Sequence, residues 1–127
     1  MLIACGVAEK KGKVLVCRRL RGMSYTGYWE FPSEEVFGEE SLEDTVERAF
    51  FDRFDAIPAK QEPLIAFNSS CAQDSRVFVH KVNFQETKPL LGCRWESRWV
   101  DFRKLSKYRF FPDFVTVVKE IEKKCDF

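Results

Sequence analysis

Between Glu40 and Arg53 the chain carries a dense run of ionisable side chains that ends in the stretch ERAFFDR. Asp44, Arg48 and Asp52 lie four apart, a spacing that stacks them along one face of a helix where i,i+4 ion pairs form. Carboxylates repeated along a helix face are also hard oxygen ligands that could hold a metal cation. Arg53 works against that reading, because a guanidinium beside Asp52 neutralises it and repels a cation. The planar donor fork of the same side chain suits a phosphate. From the residues alone three arrangements stay open: a metal site, a phosphate clamp, or helix-surface ion pairing. Glu34, Glu35 and Glu39 sit in the preceding loop, where they either regroup with Asp52 around a metal or are solvated. His80 has no second histidine in the chain and reads as a packed or edge residue, and Cys93 has no histidine partner that would make it a nucleophile.

These residues need a scaffold to hold them. Ser41 followed by Asp44 is a capping-box arrangement, with acidic residues in the first turn where the helix dipole favours them. Leu42, Val46, Ala49, Phe50 and Phe54 recur at helical spacing and predict a buried stripe. Upstream, LIACGVAEKKGKVLVCRRL reads as two strands joined at the KKGK turn, and YWEF as a short buried strand stopped by Pro32. PLIAFNSS, SRVFVHKVNF and RWESRWVDF read as further strands. After a short turn around Arg103 to Tyr108, Pro112 opens a helix whose core face is Phe114, Val117, Val118 and Ile121. Two strands, a helix, several strands and a helix predict an α/β (α+β) arrangement, a mixed sheet sandwiched between helices.

A length of 127 residues predicts one domain spanning 1–127, and 13 phenylalanines supply its core. The net charge of +1 gives no global field to attract DNA, RNA or anionic lipid, so no nucleic-acid partner is expected. The five cysteines are odd in number and form no CxxC pair, which argues for a reducing compartment over a disulfide scaffold or zinc site. No signal peptide and no run of about 18 apolar residues is found, so a cytoplasmic protein without a membrane span is expected.

At WEFPSEEVFGEESLEDTVERAF the chain resembles the Nudix superfamily, and the MutT-like branch in particular, through Trp29, Glu30, Phe31, Pro32, Val36, Glu40, Ser41 and Arg48. SYTGYWEFP is similar to CTP pyrophosphohydrolase-type members. The resemblance implies a Nudix fold and a nucleotide pyrophosphohydrolase that uses Mg²⁺ or Mn²⁺ on a nucleoside triphosphate, such as CTP or an oxidised or modified dNTP. It places Glu40 and Asp52 in the catalytic and metal positions, and Arg48 in a structural pair with Glu40. It places Arg18, Arg19, Trp29, Arg53 and Asp113 on a nucleotide. It also implies a degenerate box. The helix positions of three metal-binding glutamates are Ala49, Asp52 and Arg53, the glycine pair is Ser33 and Glu34, and the helix-ending glycine is Asp55. A later glutamate is replaced by Cys93. The alternative is an inactive nucleotide-binding or protein-interaction module that keeps the fold.

Overall fold

The computed structural model describes residues 1–84, 95–124 and 127. Strands β1 (Leu2–Lys10) and β2 (Lys13–Arg18) form the expected hairpin. Its two turn residues, Lys11 and Gly12, have φ of 51° and 78°. Positive φ at both central positions matches the right-handed twist of the flanking strands, and glycine adopts it without steric cost. β3 (Trp29–Glu30) pairs with β2. β4 (Ser33–Glu35) pairs antiparallel with the first half of β1. On its other side β1 runs parallel to β6 (Arg76–Asn83), which pairs in turn with β5 (Lys60–Asn68). β7 (Ser97–Asp101) lies antiparallel to β2. Among the described residues the result is a mixed sheet of seven strands.

The first helix, α1 (Leu42–Phe54), starts as expected: the Ser41 hydroxyl accepts from the Asp44 amide at 3.0 Å. Val46, Ala49, Phe50 and Phe54 are buried on it, and so are Thr45 and Arg53. The region around Arg103 is a 3₁₀ helix, Phe102–Lys107, and α2 (Pro112–Lys123) follows with Phe114, Val117, Val118 and Ile121 buried. Strand alternation divides the core between the two helices. Cys5, Val7, Val14, Val16 and Phe31 pack on the α2 side, while Ala4, Ala8, Leu15 and Cys17 pack with Val46 and Phe50 of α1. Among the described residues no helix is long and apolar enough to cross a membrane.

One backbone position sets how closely α1 sits, and another sets where it ends. Gly6 on β1 faces Phe50 and Val46, and a Cβ there would run into the Phe50 ring. Gly6→Ala should therefore destabilise the fold by about 1–3 kcal/mol, read as a lower urea midpoint. Asp55 ends α1 in the left-handed conformation at φ 55°. Asp55→Gly should raise stability by roughly 0.5–1 kcal/mol, read as a higher urea midpoint, since glycine removes the left-handed penalty but adds freedom to the unfolded chain.

Candidate functional site

The loop after β4 is fastened to α1 by one carboxylate. Arg48 donates to Glu40 through Nε and Nη2, both at 3.0 Å, and Nη2 also reaches the Glu35 carbonyl at 2.6 Å. Glu40 accepts further bonds from the Phe37 amide at 3.1 Å and the Thr45 hydroxyl at 2.8 Å. The Phe37 ring lies 4.5 Å from the Arg48 guanidinium. The bonds from Arg48, then those from Phe37 and Thr45, hold the Glu40 pKa down at about 2. Arg48 thus turns toward the loop, with Glu34 at 3.7 Å, and the expected Asp44–Arg48–Asp52 ladder does not form. Asp52 is exposed and adds only a Coulombic pull on Arg48.

Deeper in, strand alternation turns Glu30 away from the face that buries Trp29 and Phe31, toward α1. It is only 1% exposed. Arg53 reaches in from α1, 5% exposed, and places Nη2 3.8 Å from Glu30 Oε2 and 3.2 Å from the Ser33 carbonyl. Its guanidinium sits over the Trp95 ring at 4.3 Å. The other Glu30 oxygen faces Arg19 Nη1 at 3.5 Å. Burial pushes the Glu30 pKa up, with Arg53 and then Arg19 pulling it back. Burial likewise raises the neighbouring thiols of Cys5 and Cys17, the latter to about 12, against the pull of Arg53. Both cysteines are therefore thiols at neutral pH.

Arg19 carries this cluster to a cavity. Its Nε donates to the Ser24 carbonyl at 2.7 Å, Nη2 to the Ser24 hydroxyl at 3.2 Å, and its plane lies 4.4 Å from Phe111. The cavity, of about 190 Å³, is bounded by Arg19, Ser33, Cys71, Phe111, Asp113 and Phe114, with Ile3, Ala72 and Val77 completing it. Asp113 is buried at its wall and binds the loop after β5, accepting from Ser69 Oγ at 2.8 Å and from the Ser70 amide at 2.9 Å. Arg19 and Asp113 thus border the same cavity. Arg18 is not in this wall: it is about half exposed, donates to the Gly27 carbonyl at 3.1 Å and faces Glu96 at 3.4 Å. Trp29 is 7% exposed, in the core, with Arg18 and Arg98 over its ring. His80 is buried, with Nδ1 3.0 Å from Gln61, and burial lowers its pKa.

The donor set does not fit Mg²⁺ or Mn²⁺. A hard cation takes about six oxygens. Among the described residues no three His, Cys, Asp or Glu side chains come together as a metal group. Glu40 and Asp52, expected as joint ligands, are separated in role: Glu40 is bonded to Arg48, Phe37 and Thr45, and Asp52 stands in solvent. The oxygens that do face α1 from below, Glu30 and the Ser33 carbonyl, already meet the Arg53 guanidinium. Arg53, expected on a phosphate, is instead turned into the protein. Cys93 lies outside the described residues.

Glu30, Ser33 and Thr45 were not singled out by their types. A signal existed for the first: a glutamate between two core aromatics on a strand must face the opposite layer. Arg53 also follows Val46, Ala49 and Phe50 at stripe spacing, so its burial is written in the period.

By sequence, the chain matches no protein-family profile and no curated relative. By structure, the likeness is extensive. A MutT structure from work on Aliivibrio salmonicida and Vibrio cholerae superposes with a TM-score of 0.80 at 20% identity, over 97% of this chain and 96% of that one. A MutT protein from Methanosarcina mazei Go1 gives 0.79 at 16% identity, over 100% and 96%. The NUDIX domain of Shewanella oneidensis NrtR, complexed with ADP ribose, gives 0.74 at 18% identity, over 97% and 86%. The fold is the Nudix fold, of the kind seen in MutT.

The clamp makes a pH prediction. The folded Glu40 pKa of about 2 is below its unfolded value of about 4.3, so its stabilisation is complete above the unfolded value and is lost as pH falls toward 2. Urea midpoints at pH 6 and pH 2.5 should converge between wild type and Glu40→Gln, the wild type losing more on acidification.

Proposed function

We propose that this chain is a nucleotide-binding protein on the Nudix fold whose helix no longer supports divalent-metal hydrolysis. The observation that carries this reading is Arg53: its guanidinium lies against Glu30 and the Ser33 carbonyl, where the resemblance implies a cation between the helix and the loop. The binding surface is the cavity of about 190 Å³. That is smaller than the roughly 300–1,000 Å³ of sites that enclose a whole small ligand. It suits one moiety of a nucleotide, with the remainder in the open. Arg19 supplies N–H donors on one wall and Phe111 and Phe114 supply aromatic and apolar surface. Asp113, which also borders the cavity, accepts hydrogen bonds from Ser69 and Ser70 and so fixes the loop after β5 there. Arg18 lies outside and is exposed enough to meet phosphates in solvent. ADP-ribose, the ligand of the NrtR domain, and CTP or a modified dNTP are the compounds to test first.

Thermal denaturation with ADP-ribose, CTP and 8-oxo-dGTP, in EDTA and then in Mg²⁺, tests this. A ligand at a hundredfold excess over its Kd should stabilise by about 2.7 kcal/mol, equally in both buffers. Phosphate and pyrophosphate release should stay at the blank. Stabilisation that appears only with Mg²⁺, together with turnover lost in Asp52→Ala, would make the protein a metal-dependent hydrolase instead.

A further inference from the structure

The contacts of Glu30 form a continuous row through the molecule. Trp95, which packs with the core under α1, lies 4.3 Å from the Arg53 guanidinium. Arg53 faces one Glu30 oxygen at 3.8 Å, and Arg19 faces the other at 3.5 Å. Arg19 then lies 4.4 Å from Phe111, which packs with the core under α2 and borders the cavity. One carboxylate is thus shared by two guanidiniums, only one of which reaches the cavity.

We infer that Arg53 is a positioning residue: through Glu30, it sets how much of the positive charge of Arg19 is left for an anionic ligand group in the cavity. This rests on the cavity being the ligand site proposed above. A carboxylate between two cations divides its attraction between them, and burial strengthens each interaction because water screens it little. Without Arg53, Glu30 has Arg19 alone as its partner in this row and draws it from the cavity wall. Ser24 holds Nε and one N–H of Nη2, so the remaining N–H groups of Arg19 are those Glu30 and a ligand compete for. Asp113 also borders the cavity and its carboxylate disfavours an anion beside it, so the anionic group seats at Arg19. A phosphoryl group has this charge and geometry. The arrangement needs no divalent cation, because the positive charge belongs to the chain.

The charge count separates this from a structural role. Relative to wild type, Arg53→Met removes one positive charge, Glu30→Gln removes one negative charge, and the double variant restores the balance. Calorimetry in EDTA with ADP-ribose and with pyrophosphate should give affinity falling at least tenfold in Arg53→Met. Glu30→Gln should bind at least as tightly as wild type, and the double variant should return to within threefold of it. A double variant as weak as Arg53→Met overturns the inference, since Arg53 then acts by contact or by packing. If Arg53→Met does not fold, Glu30→Gln is compared with the double variant: a tenfold difference supports the inference, and equal affinity overturns it. Binding of ADP-ribose but not pyrophosphate assigns the anion to an ester within a nucleotide; the reverse assigns it to free phosphate, and both leave the charge ordering as the test. If wild type binds neither probe, the proposed function fails, and the Arg19 Nε–H resonance decides the inference. A resonance that shifts in Arg53→Met, or between Glu30→Gln and the double variant, supports it; one that stays in place overturns it.

Discussion

A buried carboxylate must have a counter-charge, and in this protein that requirement falls on Glu30. An isolated ion in the interior costs several kcal/mol even after relaxation, and the cost is offset only by close, well-placed partners. Glu30 meets it with Arg53 from one side and Arg19 from the other. Much of the site's geometry follows. Arg53 has to leave solvent and cross to the sheet, α1 has to sit close enough for it to reach, and Gly6 allows that approach by having no side chain under Phe50. Arg19 is fixed at the mouth of the cavity by the same carboxylate together with Ser24 and Phe111.

The two charge groups on α1 do different work. Arg48 and Glu40 make short, multidentate bonds near the surface and tie the loop to the helix, a task independent of any chemistry. Arg53 is buried, meets Glu30 at 3.8 Å and the Ser33 carbonyl at 3.2 Å, and acts on the interior electrostatically. It neutralises Glu30 and depresses the pKa of two nearby thiols that burial would raise further. At this point α1 presents a guanidinium to the oxygens of Glu30 and Ser33. The fold is the one seen in MutT.

Most of the scaffold was legible because its signals are periodic. The apolar stripes of α1 and α2 and the KKGK hairpin follow from spacing and turn chemistry, and each forms where expected. β4 was not legible, since Ser33, Glu34 and Glu35 show no apolar alternation and pair with β1 through backbone alone. At the site, the Glu40–Arg48 pair was readable through the resemblance. The burial of Arg53 is hidden by its charge, which suits a phosphate or surface ion pairing, although the residue lies on the stripe with Val46, Ala49 and Phe50. The i,i+4 ladder failed because a bidentate partner in the loop outcompetes single carboxylates on an exposed helix face.

The Arg53 guanidinium stands between α1 and the Ser33 loop, and in the function proposed above it takes the place of a divalent cation. Paramagnetic broadening of backbone amides by Mn²⁺ measures this directly, because Mn²⁺ bleaches signals around any site it occupies. The expected spectrum in millimolar Mn²⁺ keeps the amides of Ser33, Glu34, Asp52 and Arg53 no broader than other exposed or buried amides of the sheet. Selective loss of those signals at substoichiometric Mn²⁺, reversed by EDTA, would contradict the account.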